Sequence, residues 1–197
     1  MAHPVSHFFA YISRLRWIKR WGLMRNAIEE NVATHSWEVA TIAHALALIR
    51  NRHFGGHINA DRVAAAALYH DATEVITGDL PTPVKYHSTV MREAFGDIEH
   101  KAEAELLALL PTDLREDFAP YVRESRLPAE DRELIKAADR LSAWLKCRAE
   151  IRAGNKEFDP AARQILQRLE QDELPEVAYF LSVFAPSYDC PLDNLLQ

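Results

Sequence analysis

The sequence is poor in cysteine. Cys147 and Cys190 are the only two in 197 residues, and no short spacing joins them. That excludes a disulfide scaffold and a thiolate zinc site, and it suits a reducing compartment. Basic residues show no excess either: 23 Lys and Arg stand against 29 Asp and Glu, a formal charge of −6. Proteins that wrap nucleic acid carry a basic excess or stripe, so a nucleic-acid polymer is excluded as the main partner. A small anionic substrate is not, because a metal ion and a few arginines reverse the field locally. No uninterrupted apolar run of signal-peptide or membrane length occurs in the opening MAHPVSHFFAYISRLRW. The expectation is a cytoplasmic protein with no membrane partner. Sustained strand-like alternation, internal repeats and low-complexity linkers are missing as well, which argues against β architectures and repeat arrays.

What the sequence does have is helical periodicity. Its 48% hydrophobic and 26% charged residues are the balance of a globular protein, and a chain of this length buries roughly 70% of its unfolded surface without a staple. A first helix is predicted over residues 5–19, where Phe8, Ile12, Leu15 and Ile18 recur at three or four, followed by a loop at Trp21-Gly22. A second helix is predicted from Thr34, as N-cap with Glu38 close by, to about Arg52, with Gly55-Gly56 closing it. Asn59 caps a third, running through VAAAALYHDA until its pattern fades at Thr77-Gly78; the next segment, TGDLPTPVKY, has two prolines that forbid regular helix. Further helices are predicted over 88–110, 112–124, from beyond Pro128 to Gly154, from Asp159-Pro160, and over 175–184. The expected fold is all-α, a single domain over residues 1–197.

Chemistry is concentrated in a few histidines and carboxylates. His70-Asp71 emerges from a nearly all-apolar stretch, Val63 to Tyr69. A carboxylate placed there needs a partner or a metal, because desolvating it alone costs several kcal/mol. Glu74 follows at the helical spacings of three and four, which place it beside the pair. His35 falls in the first turn of the second helix, and Asp139 at the edge of the apolar face formed by Leu134, Ile135, Ala138, Leu141 and Leu145. Each residue alone has an ordinary structural explanation, a surface histidine or a helix-stabilising acid. The combination of His, His-Asp and Asp on separate helices is what suggests a divalent cation, which imidazole and carboxylate suit. His44, His53, His57, His87 and His100 are read as non-ligands, and nothing ranks Lys85 or Arg25 above surface charge.

The order His35…His70-Asp71…Asp139 resembles the HD-domain superfamily of metal-dependent phosphohydrolases. The surrounding words ENVATHS, YHDATEVITGDLPTPVKY and IKAADRLSAWLKC, with HFFAYISRLRWIKRW and NKEF, are similar to bacterial 5′-deoxynucleotidases over most of the chain. The resemblance implies a compact multi-helix HD fold and hydrolysis of deoxyribonucleoside 5′-monophosphates to deoxynucleoside and phosphate by metal-activated water. It implies one divalent metal on His35, His70, Asp71 and Asp139, with cobalt or manganese effective in vitro, and a homodimer. On the same resemblance Glu74 matches the acid that assists catalysis, Arg20 the residue that orients the phosphate and Trp21 the one that crowds the sugar, while Asp79 with Leu80, Pro81 and Thr82 matches a loop lining the nucleoside side and His35 and Asp71 also face the substrate. The bottom-up reading agrees for Arg20, whose planar fork suits phosphate oxygens. For Trp21 the residues alone favour a packing aromatic over a wall excluding a 2′-hydroxyl, and for Asp79 a turn residue is as good an account as a sugar contact. Two alternatives remain from sequence: an HD phosphohydrolase acting on a triphosphate, a dinucleoside polyphosphate or guanosine tetraphosphate, and a non-enzymatic nucleotide-sensing HD module. The first needs extra basic residues, the second missing ligands, and the chain shows neither.

Overall fold

The computed structural model describes residues 5–85 and 87–196; residues 1–4 of the opening segment, Tyr86 of TGDLPTPVKY and Gln197 lie outside them. As expected the fold is all-α. In chain order the helices are α1 (Phe8–Ile12), α2 (Val32–His53), α3 (Ala60–Tyr69), α4 (Glu74–Thr77), α5 (Thr82–Lys85), α6 (Thr89–Ala108), α7 (Arg115–Val122), α8 (Ala129–Arg152), α9 (Asp159–Gln171) and α10 (Pro175–Val183), with 3-10 turns between several of them. Extended pairing among the described residues is limited to an isolated antiparallel bridge, Lys19 with Asn31.

Local chemistry explains where the sequence reading and the structure part. The predicted helix over 5–19 is α1 followed by a 3-10 turn, Ser13–Trp17. The N-cap of α2 is Asn31 rather than Thr34: the Thr34 N–H donates to Asn31 Oδ1 at 3.0 Å, and the Asn31 N–H donates to Thr34 Oγ1 at 3.3 Å. This is a reciprocal capping box with Thr34 as its third residue. Asn59 does cap α3, accepting the Arg62 N–H at 2.9 Å. That helix stops at Tyr69, however, and the chain reaches Glu74 through a tight turn. One turn of helix, α5, forms within the proline-rich segment, since Pro83 sits in its first turn, where no N–H is needed.

The described residues fall into two compact units, one of residues 5–25, 29–37, 65–85 and 87–128, the other of 26–28, 38–64 and 129–196. The core of the first unit is Phe8, Ala72, Leu106, Leu107, Leu110, Ala119 and Val122, with Tyr69, Val75 and Phe118 packed against it. Phe8 meets Phe118 edge-on at 5.5 Å between ring centroids. Burying such a ring contributes roughly 2–3 kcal/mol. Ala72 and Val75 in that core fix the turn between α3 and α4, and therefore the residues that the turn carries. In the second unit, α8 packs on α9 and buries Leu134, Ile135, Ala138, Leu141, Trp144 and Leu145. Buried charges there are paired: Arg62 donates to both oxygens of Asp131, at 2.6 and 3.1 Å, and Arg50 to Glu176 and Glu133. No helix among the described residues is long and apolar enough to cross a membrane.

Candidate metal centre

The site is built in the first unit by the two loop ends carrying Arg20 and Glu30, held next to each other beside the Lys19–Asn31 bridge, by the first turn of α2, and by the turn between α3 and α4. The capping box at Asn31 sets the first turn of α2, from which His35 projects, almost fully buried. Beyond Tyr69 the winding tightens to i→i+3 bonds, with Ala72 N–H donating to Tyr69 O at 2.9 Å and Glu74 N–H to Asp71 O at 3.0 Å. Side chains three apart eclipse in this geometry. Glu74 therefore stays beside Asp71 although no continuous helix joins them.

His35, His70 and Asp71 offer ligand atoms that all lie within 4.8 Å of one another. Asp71 Oδ2 is 3.1 Å from His70 Nε2 and 3.6 Å from His35 Nε2, and the two imidazole rings are 5.3 Å apart. His70 Nδ1 lies 2.7 Å from the Ala67 carbonyl. A carbonyl only accepts, so Nδ1 carries a proton, and Nε2 is the ring atom that faces Asp71 and would serve as the metal ligand. Two imidazoles and a carboxylate in this arrangement fit a divalent ion. Asp139 lies half-buried near the middle of α8, in the second unit, and is not a member of this triad.

Arg20 Nη1 donates to Asp71 Oδ2 at 3.3 Å, and its Nε is 3.4 Å from Glu30 Oε2. Burial alone raises the Asp71 carboxyl, but His70, His35 and Arg20 outweigh it and hold the group well below the usual carboxylate range. Glu74 goes the other way: burial, with the Asp71 and Asp79 carboxylates, pushes it up to about 9, and its Oε2 is buried with no hydrogen-bond partner among the described residues. Asp79 is raised by burial, opposed by Arg20 and by the Trp21 backbone N–H that it accepts. Gly78, at φ 71°, makes the turn that leads from α4 into Asp79; Leu80 and Pro81 follow half-buried and Thr82 exposed.

Arg20, Trp21, His35, His70, Asp71, Glu74 and Asp79, all singled out in the sequence, thus share one unit. Lys85 is committed elsewhere, donating to Glu99 at 2.8 Å and lying over the Phe95 ring. His44 sits against Asp61 at 3.6 Å, both in the second unit. Two acids escaped the sequence reading. Glu30 accepts the Trp21 indole N–H at 2.7 Å; in the run Glu29-Glu30-Asn31 it reads as one of two surface acids. Glu150, fully buried, accepts the Ala27 and Ile28 N–H groups at 2.8 and 2.9 Å and pairs with Lys146. The i,i+4 pairing of Lys146 with Glu150 was a visible signal, but a helix-surface pair explains it equally well.

The chain is similar to known proteins along nearly its whole length. Residues 7–188 match the family described as 5′-deoxynucleotidase YfbR-like. The 5′-deoxynucleotidase VV1113 of Vibrio vulnificus is 49% identical over 96% of this chain and 98% of its own. The 5′-deoxynucleotidase YfbR of Escherichia coli is 49% identical over 98% and 96%. Among solved structures, an HD-domain phosphohydrolase from Listeria innocua superposes with a TM-score of 0.79 at 25% identity, over 92% of this chain and 88% of that one. The cyanophage S-2L HD phosphohydrolase DatZ, solved with dA and one catalytic Zn2+, shares the fold with a TM-score of 0.65 at 19% identity, over 90% and 96%. With its His-Asp doublet, its helical fold and near-half identity to these enzymes along almost its whole length, the chain belongs to the 5′-deoxynucleotidase YfbR-like family of HD-domain proteins.

Proposed function

We propose that this protein is a metal-dependent 5′-deoxynucleotidase, a phosphoric monoester hydrolase that converts deoxyribonucleoside 5′-monophosphates to deoxynucleoside and phosphate. The observation that carries the reading is the His35, His70 and Asp71 triad with Arg20 on one side and Glu74 on the other, in a chain about half identical to named 5′-deoxynucleotidases. The reading treats residues 1–197 as one phosphohydrolase domain and Asp139 as the fourth ligand. One divalent ion, with cobalt or manganese the first to try, a cytoplasmic location and a homodimer complete it.

A divalent ion at the triad supplies Lewis acidity at the phosphoryl group and makes a water nucleophilic at neutral pH. The remaining work belongs to the chain. Arg20 presents its guanidinium to the phosphoryl oxygens and neutralises the charge that accumulates as the new P–O bond forms and the bond to the 5′-oxygen breaks. Glu74 manages the proton: a carboxyl raised far above its usual range holds one at neutral pH and can hand it to the departing 5′-oxygen. Trp21 walls the sugar against a 2′-hydroxyl, and Asp79 with Leu80, Pro81 and Thr82 lines the nucleoside side. No base-specific contact enters the reading, so several bases are accepted.

The test is phosphate release by metal-stripped protein after adding back cobalt or manganese, using paired deoxyribo- and ribonucleoside 5′-monophosphates. Metal-restored release from the deoxy substrates alone is the expected result. Equal release from both sugars retires the Trp21 wall, and none from either, in folded and metal-loaded protein, retires the monophosphatase reading.

A further inference from the structure

We propose that Glu30 is a positioning residue which sets Arg20 and Trp21 from a single carboxylate, coupling the phosphate-orienting group to the wall beside the sugar. The inference rests on the roles given to Arg20 and Trp21 above.

Glu30 Oε2 accepts the Trp21 indole N–H at 2.7 Å and stands 3.4 Å from Arg20 Nε, and Oε1 is 3.9 Å from His35 Nδ1. The main chain repeats the connection, with the Arg20 N–H donating to the Glu30 carbonyl at 3.1 Å. The neighbouring Glu29 provides a contrast. It pairs with Lys19 at 2.6 Å with both side chains largely in solvent, whereas the Glu30 and Arg20 side chains are 11% and 13% exposed. An ion pair of the first kind contributes little; one of the second, with water mostly excluded, holds its partners in place.

Trp21 gives this carboxylate a specific task. Its backbone lies at φ 60°, a left-handed conformation uncommon for a bulky side chain. Such a conformation is strained and persists only where the surroundings over-determine it. The Trp21 carbonyl accepts the Met24 N–H at 2.9 Å, and its backbone N–H reaches Asp79. Those bonds hold the main chain; the bond to Glu30 fixes the ring. Since the same oxygen faces Arg20 Nε, the guanidinium and the indole cannot be oriented independently.

The experiment compares E30A, E30Q, E29A, W21A and E30A/W21A for kcat and KM on a deoxyribo- and ribonucleoside 5′-monophosphate pair. It also follows the Trp21 indole N–H proton resonance, assigned by its loss in W21F, in metal-stripped protein. E30A is expected to raise KM for the deoxynucleotide about tenfold or more, the size set by losing one charge-assisted hydrogen bond, and to narrow the deoxy-to-ribo preference. In the W21A background the same change leaves that preference where W21A put it. E30Q keeps an acceptor for the indole, so the preference stays while KM rises through the lost charge opposite Arg20. The indole resonance moves in E30A and E30Q, and E29A matches wild type throughout. A wild-type preference and an unmoved indole resonance in E30A, when W21A does narrow the preference, overturn the role of Glu30 alone. An unchanged preference in W21A overturns the Trp21 wall and this inference with it. Should E30A fail to fold, E30Q with wild-type KM and an unmoved resonance overturns it equally.

Discussion

Asp71 and Glu74 are three residues apart on one tight turn, and their protonation equilibria are driven in opposite directions. His70, His35 and Arg20 keep Asp71 ionised, while burial beside Asp71 and Asp79 pushes Glu74 up to about 9. Two carboxyls with divergent affinities for a proton in one pocket are the arrangement by which a site assigns one to bind charge and the other to move protons.

The ligand reading has a direct consequence. Asp71→Ala and His70→Ala each remove one corner of the triad, and each should weaken divalent-metal affinity by more than about 100-fold, since even outer-shell losses cost 10–100-fold. Asp139→Ala should do the same if it is the fourth ligand. Metal content after dialysis measures all three, and an Asp139→Ala protein that keeps a full complement removes that residue from the set.

Glu74 should separate binding from turnover. Glu74→Ala is expected to retain metal and substrate affinity while losing about 100- to 10,000-fold in kcat, the range for general acid–base groups. A wild-type rate in this variant discards the catalytic role.

A pH effect on stability follows from the same residue. An acid raised from 4.5 to about 9 on folding binds more protons in the native than in the unfolded state between those values. Its stabilising contribution is complete below about 4.5 and is lost as pH rises towards 9. Denaturation of metal-stripped protein should therefore show a decline across this window that Glu74→Gln flattens, leaving the variant the more stable protein at pH 8–9. Parallel curves for the two proteins would contradict the raised value.

Glu150 shows the reverse sign. Burial raises its carboxyl, but the Lys146 and Asn155 side chains and the Ile28 and Ala27 N–H groups outweigh that and hold it at about 2. Its contribution is present above the ordinary glutamate range and is lost as pH falls towards 2. Glu150→Ala leaves the buried Lys146 charge without its counter-ion and two backbone N–H groups without their acceptor, so a loss of roughly 3–5 kcal/mol is expected by urea denaturation at pH 7. A loss below 1 kcal/mol would mean that water replaces the carboxylate.

Asn31 links helix capping to the metal. Asn31→Ala removes the cap of α2 and should cost about 1 kcal/mol. Because His35 stands in that first turn, metal titration should show weaker binding as well, which an exposed cap remote from the site would not cause.

How much of this was legible beforehand depends on the range of the interactions involved. The all-α class, the Asn59 cap, the starts of α6, α9 and α10 and the candidates His35, His70 and Asp71 could be named from the chain alone, because helical period, caps and short motifs are local signals. The end of α3 at Tyr69 was not legible, since an alanine-rich run carries no break and the tightening beyond it comes from Ala72 and Val75 entering the Phe8 core. Nor could local pattern show that Asn31 rather than Thr34 caps α2, as both residue types serve.

By itself, then, the sequence determined the residue types able to bind a divalent ion and their order along helices, since that information lies within a few turns of each residue. Only the tertiary structure decided their use. It brought Arg20 onto Asp71 across 51 residues of chain, turned Glu30 inward while leaving Glu29 in solvent, and raised Glu74 while depressing Asp71. Desolvation and Coulomb interaction depend on distance in space, and the distance that matters exists only once the chain has folded.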